Sequence, residues 1–543
     1  MDGARGSEDR SAAEQEAEAA WLVRLYELNP WANGLDIESE AFEVARQNAC
    51  VNRWIEGVDA WNAWAEEMRK SRPTKIHHSV YNELGSSDFS QICFLNGGDF
   101  RRYIFPCPTY FNETHFGNTI HSPGDTLFGS ASFYGDAWFN KAFFGGITSF
   151  HNSTFGGDAT FRGCAFHDSA WFANTKFLGH CSFNDVAFGG NGEFDGTKFD
   201  SGVEFDNSTF HGDASFEVAR FNDDAYFDDA VFNCDVWLDG SRFVKSSRFD
   251  GAIFRRRAFF KGVTFSHASF ALANFFGSVT FQGAKFDTAS FRSIKSERSF
   301  SLNSTFCSTP DFREASFHEA PQLDDAEIAS CFSRWTVEDD RRPVLIDWAK
   351  HAPNRDEHAK FRALRGMADQ GNDHTSALRF NADEIAARRF WVDEPFGRNA
   401  SRFWLGWLYQ LTSDYGRSIF RPLIGLFAVV ATFAALFYAA AQSDDPKTSW
   451  TRACHESVDR AELKLQPTDK LTEAISLSIR NALIFDRSDT SRRTYGCLYG
   501  LVDNGRSGAI PTWVGKLSLL ESLLSAIFLF LIGLALRNMF RLG

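Results

Sequence analysis

With 543 residues and a formal net charge of −14, the chain is too long for one ordinary compact domain and too acidic for a general nucleic-acid binder. Ten cysteines without CxxC or Cys/His ligand spacing signal no metal site. Phosphate-loop, nucleophile-elbow and zinc-protease motifs are also missing from the sequence, so neither an enzyme nor a cofactor is expected.

Residues 1–75 read as a helical leader. The opening MDGARGSEDRS is acidic and polar, with neither a basic nor an apolar leader region, so no signal peptide is expected. An Ala- and Glu-rich stretch from Ala12 to Leu28 runs into Pro30, and a second helical stretch runs from Ile37 to Arg69. Trp54, Val58, Trp61, Trp64 and Met68 fall at steps of three and four, which gives one apolar helix face. Two roles fit this leader: a cap on whatever follows, or a helix that binds a partner.

From Phe128 the chain follows a different rule. Phenylalanines recur at steps of five and six, through Phe139, Phe161, Phe183, Phe205, Phe227 and Phe249 and the residues between them, so the unit is eleven residues. A strand has period two, and a step of five sends the next Phe to the opposite face. On a helix the same step scatters neighbours around the cylinder. A chain that turns a corner about every five residues keeps every Phe inward. Two residues before each Phe stands something small (Ala137, Ala159, Cys164, Cys181, Val203), while the residue between varies freely (Trp138, Lys176, Glu204, Arg220). Gly-Asp at 135–136, 157–158 and 212–213 supplies corner chemistry.

This register resembles the pentapeptide-repeat family in its Phe-centred form. The resemblance implies a β solenoid, a right-handed quadrilateral β-helix with Phe or Leu stacked along its axis. It also implies that Val58–Lys70 is the leader that precedes such solenoids and covers the open first coil. The repeat is expected over 76–328, starting near Phe89, with a loop around Pro123–Gly124 and irregular register after Phe265 and between Phe291 and Phe300. At a strand spacing of ~4.8 Å, roughly eleven coils make a rod on the order of 50 Å long.

Charge is uneven along the repeat. Between Asp185 and Asp239 stand fourteen acids against two bases, Lys198 and Arg220. Arg242, Lys245, Arg248, Arg255, Arg256, Arg257 and Lys261 then form a basic band. One reading is a solvated surface; the other is a polarised rod that docks a protein partner. Some soluble members of the family mimic DNA with an acidic rod, but the basic band counts against that here, and no direct nucleic-acid partner is expected.

Residues 329–397 return to helix, with His358–Met367 and Ala377–Arg389 as an amphipathic pair expected to cap the second end. Residues 398–422 place Trp404, Trp407 and Tyr409 among arginines, the composition of an interfacial helix anchored at a lipid bilayer. Residues 423–441 hold no charge over nineteen positions, and 517–537 form a second apolar stretch closed by Arg537. Both are expected to span a membrane. The absence of a leader and the arginines at the inner ends (Arg417, Arg421, Arg537, Arg541) predict a multi-pass protein of the inner membrane with both termini cytoplasmic. Residues 442–516 would then lie outside, where Cys454 and Cys497 are a candidate disulfide.

Within that loop, residues 471–485 are apolar on one face. A span, a short helix and a second span weakly resemble the two-span architecture of small cation channels. The potassium-selective filter is missing, since Asp486-Arg-Ser-Asp489 stands in its place. A pore built as a homo-oligomer would use acidic side chains, with Asp486 and Glu521 as candidates; otherwise Glu521 faces the membrane–water interface. The sequence therefore predicts a membrane-anchored interaction scaffold or sensor with a cytoplasmic rod, with an oligomeric channel regulated by the rod as the alternative.

Overall fold

The computed structural model describes residues 12–72, 78–117, 124–323, 326–328, 355–389, 392–393, 396, 398–442, 470–483, 498 and 512–540. The chain folds as two compact units, one of residues 1–331 with 359–376 and one of 332–358 with 377–543.

The first unit is a four-sided solenoid of two-residue strands that pair in parallel with the coil before and the coil after. Through its middle the register is 22 residues, as in Phe155↔Phe177 and Phe199↔Phe221. Each side contributes one column of inward rings. The first column runs Phe89, Phe111, Phe139, Phe161, Phe183, Phe205, Phe227, Phe249, Phe270, Phe291 and Phe312, eleven rungs, all at most 2 % exposed. From Phe139 to Phe249 neighbouring rings in this column lie 4.7–4.9 Å apart and within 5° of parallel. The column opposite meets it edge-on, as Phe172 does with Phe183 at 5.2 Å and 84°. Rings thus stack along the rod and meet edge to face across it, the two arrangements the ring quadrupole favours.

The corners are built from polar atoms. One residue in eleven takes a left-handed conformation, among them Lys141, Asn152, Asn174, Asp185, Asn207, Val218 and Asp229, with φ between 55° and 60°. The small inward residue that follows such a corner carries a hydroxyl in several coils. Thr114, Ser153, Thr175, Thr197 and Ser208 donate at 2.6–3.0 Å to the carbonyl of a Phe 25 residues earlier. The carbonyls of Phe89, Phe128, Phe150 and Phe172 also accept the N–H three residues on, at 2.9–3.3 Å, so the hydroxyl adds a second bond that ties one coil to the next. At another corner the stacking needs glycine: a Cβ on Gly179 would lie 2.4 Å from the Gly157 carbonyl.

The two irregularities have separate causes. Across 118–123, which lie outside the described residues, the register grows to 28 residues, with Gly98 paired to Thr126, six more than in the regular coils. After Phe265 one corner loses a residue: Thr264 pairs with Lys285, 21 positions on, and the chain runs through that corner as continuous strands Thr264–Ser269 and Lys285–Ser290. Between Phe291 and Phe300 the sizes are exchanged. Ser296 takes a ring position, paired with Phe275, and Phe300 takes a small-residue position, paired with Val279. Phe300 then fills the space, 5.7 Å from Phe275 and 5.3 Å from Phe317.

Four helices precede the rod: α1 (Ala12–Leu28), α2 (Glu40–Glu56), α3 (Val58–Lys70) and α4 (His78–Gly85). They cover the first coil. Trp61 stacks on Phe89 and Trp54 on Phe100, so the ring columns are carried on by tryptophan. Trp54 Nε1, Trp61 Nε1 and Asn62 Nδ2 donate to the carbonyls of Asp99, Ile104 and Arg102, and Asn62 Oδ1 accepts the Ile104 N–H. Sheet-edge groups that would template aggregation are thereby satisfied. At the other end α5 (Glu357–Gln370) buries Phe361, Leu364 and Met367, and Gln370 donates to the Phe317 carbonyl at 3.2 Å. The expected helical pair is divided, since α6 (His374–Arg388) lies largely in the second unit from Ala377 onward.

The second unit adds α7 (Ala400–Ser413), α8 (Phe420–Gln442), α9 (Lys470–Ala482) and α10 (Thr512–Phe540). The chain breaks between α7 and α8 at Asp414, Tyr415 and Gly416, all with positive φ. Phe433, Phe437, Ala441, Ala474, Leu477 and Val514 form the shared core of α8, α9 and α10. The apolar windows of α8 and α10 are only 17 % and 22 % buried. Phe427 and Phe530 point outward at 73 % and 66 % exposure. A soluble core helix would be covered on these faces.

Candidate functional sites on the rod and in the helical unit

The acid-rich stretch of the rod is first of all corner structure. Asp195, Asp206, Asp213, Asp224, Asp228, Asp235 and Asp239 each accept a backbone N–H from the coil 22 residues on, at 2.8–3.2 Å. Asn184 and Asn191 do the same. The charge is therefore incidental to part of this stretch, and the carbonyl-like oxygen is what the corner needs. The carboxylates still crowd. Burial, then the neighbouring Glu204, holds Asp206 above the usual carboxylate range, and burial with Asp195 does the same to Glu193.

Much of the basic band answers these acids. Arg257 donates to Asp235 at 2.5 Å, Lys245 pairs with Asp223 at 2.7 Å, and Arg248 pairs with Asp228. The hydrogen bond from Lys245 holds the Asp223 carboxyl low. What the sequence read as two opposed zones is, at these positions, a set of internal pairs between successive coils.

A second set of cations was hidden by counting along the chain. On the fourth side of the rod Lys176 pairs in register with Lys198, Lys198 with Arg220 and Arg220 with Arg242. Thr264 follows and then Lys285. Lys198 is held by Asp200 at 2.8 Å. Among the described residues the side chains of Lys176, Arg220, Arg242 and Lys285 make no hydrogen bond or ion pair, and all four are exposed. Like charges facing one another in neighbouring strands cost stability. The only signal in the sequence is the spacing of 22 shared by Lys176, Lys198, Arg220 and Arg242.

Four cysteines of the first unit, Cys50 in α2 and three in the rod, are packing elements. Cys50 and Cys107 are buried, which pushes their thiols up to about 11 and about 12, and burial raises Cys164 and Cys181 as well. No group of metal-ligating side chains occurs among the described residues.

In the helical unit, Glu521 is turned inward with no exposed surface. Ser478 Oγ and Asn481 Nδ2 of α9 reach its two carboxyl oxygens, the latter at 2.9 Å. Ser478 also lies 2.8 Å from the Val430 carbonyl of α8, and Ser522 donates to the Asn481 carbonyl at 3.0 Å. A polar knot therefore ties the three helices together beside their apolar core. On α7, Trp404 is exposed beside Leu405, Leu408 and Leu411, Trp407 is half-buried against it, and Tyr409 packs edge-on to Tyr415. Asp486, Cys454 and Cys497 lie outside the described residues.

The family model described as pentapeptide repeats (9 copies) matches residues 128–175, 150–198 and 194–242. No curated protein and no solved structure matches the chain. The matched residues are the coils in which every ring column and every corner keeps its 22-residue register, and the rod of this chain is a pentapeptide-repeat solenoid.

Proposed function

We propose that the chain is a membrane-anchored scaffold whose rod presents its outer surface to a protein partner. The observation that carries this reading is the inverted polarity of the second unit. Its long helices α8 and α10 meet through part of their surface and leave most of their apolar side chains uncovered. Water penalises such a surface, and hydrocarbon does not. The knot at Glu521 fits the same environment, because a carboxylate inside a membrane helix faces the bundle interior and its partners. Helix α7 then lies in the interface with Trp404 and its leucines toward lipid. The rod's interior is filled by rings, so its chemistry is confined to the outer surface. By the arginines flanking the spans, both termini and the rod face the cytoplasm.

Liposome flotation of a chain lacking 398–537, which removes α7 together with both spans, tests the anchor. The full chain floats with the vesicles and the truncated chain does not; a truncated chain that floats equally contradicts the reading.

One observation favours the channel alternative. Leu471, Ile475 and Ile479 lie along one face of α9, with Leu483 just past its end, at 40–54 % exposure, a stripe that neighbouring copies would cover in a ring. Light scattering of the detergent-extracted chain separates the two: a closed oligomer supports a pore, and a monomer excludes one built from one hairpin per chain.

A further inference from the structure

On the basis of that scaffold reading, we infer that the fourth side of the rod, from Lys176 to Arg242, is a docking surface for an acidic amphipathic helix of a partner protein. The cations at 176, 198, 220 and 242 stand on successive coils in register. Three strand spacings separate the outer two, ~14 Å. A helix lying along the rod axis with acids at i, i+4, i+7 and i+11 places one carboxylate per turn of 5.4 Å, about 16 Å in all. The two repeats match closely enough for each carboxylate to meet a cation.

Exposed apolar residues bracket the same ladder. Leu178 stands two positions after Lys176 and Val244 two after Arg242, both on the outer side, at 48 % and 39 % exposure. Between them stand Asp200, which is engaged by Lys198 and Asn222, and Asn222 itself. A helix whose apolar row runs beside its acidic row would cover Leu178 and Val244 while its acids engage the ladder.

The flanks decide between kinds of anion. Asp195, Glu217 and Asp239 line the corner before this side, and Asp223 and Asp224 stand at the corner after it. A nucleic-acid duplex or a plane of lipid headgroups presents its phosphates in more than one row and would set some of them against those carboxylates. An amphipathic helix presents a single row of acids.

The test is fluorescence anisotropy on the full chain in zwitterionic detergent. The probe is a labelled helical peptide of about 18 residues, long enough for the i to i+11 row, with a leucine row beside its glutamates. A permuted peptide of the same composition is the control. The ordered peptide is expected to bind more tightly, and Arg220→Glu with Arg242→Glu should weaken it by about tenfold. Arg255→Glu with Arg256→Glu, exposed cations off this side, should leave binding unchanged. Arg220→Gln with Arg242→Gln gives a smaller loss and guards against misfolding, which a melting curve also reports. Equal binding of ordered and permuted peptides, equal losses in the two charge-reversed proteins, or easier displacement by duplex DNA or phosphatidylglycerol micelles than by unlabelled peptide would each overturn the inference. That outcome removes this side of the rod as the docking surface and leaves the anchored scaffold to the flotation test.

Discussion

The rod and the helical unit solve one packing problem with opposite polarity. In the rod, rings fill the inside and carboxylates line the outside; in the helical unit, the carboxylate of Glu521 is inside and phenylalanines face out. The contrast teaches that burial alone does not identify a core. What matters is which surface is left over, and which solvent tolerates it. A second difference follows from construction. The rod repeats one rung, so its stability is spread along the axis. In the helical unit α8, α9 and α10 meet at the polar knot around Glu521, so a single side chain bears on all three.

The largest expected effect tests the rod's share of this comparison. Phe183→Ala removes a ring stacked at 4.8 Å on both Phe161 and Phe205 and is expected to cost about 3–5 kcal/mol in denaturant unfolding followed by circular dichroism. Phe300→Ala should cost a similar amount, although it stands where other coils hold a small residue, because Ser296 leaves the space it fills.

Alkali should separate the units next. The Cys50 thiol of α2 rises from 9.0 to about 11 by burial in the folded cap of the rod, so it ionises first in the unfolded chain. Its contribution is complete below pH 9 and is lost as pH rises toward 11, roughly 3 kcal/mol in all. Melting of the rod should steepen its decline above pH 9, and Cys50→Ala should flatten it.

In the helical unit, Glu521→Leu leaves Asn481 without its acceptor and Ser478 with the Val430 carbonyl alone, a loss of roughly 1–3 kcal/mol in mixed-micelle unfolding, while Glu521→Gln retains most of the knot. The smallest effect concerns the corners. Asp206→Ala should cost about 1 kcal/mol through the lost bond to the Asp228 N–H, and Asp206→Asn should be nearly neutral, as Asn184 already fills that role one coil earlier.

These residues also mark how far the sequence could be read. The ring columns were open to reading because one residue type repeats on every side and its spacing excludes helix and strand alike. The exchange of Ser296 and Phe300 was not, since compensation of size between two sides exists only once the coil has closed. The ladder from Lys176 to Arg242 does not show in the charge along the chain, because a coil of 22 residues sets charges beside one another across it. Glu521 could be picked out as a carboxylate in an apolar helix, but Ser478 and Asn481 stand 43 and 40 residues away, on a helix that its sequence placed and did not orient.

The measurement that bears most directly on the anchored scaffold is alkaline-carbonate extraction of membranes from cells that make the full chain. The inverted polarity of α8 and α10 predicts that the chain stays in the membrane pellet, and that protease added to the cytoplasmic side removes the rod. Release of the intact chain into the supernatant would contradict the account.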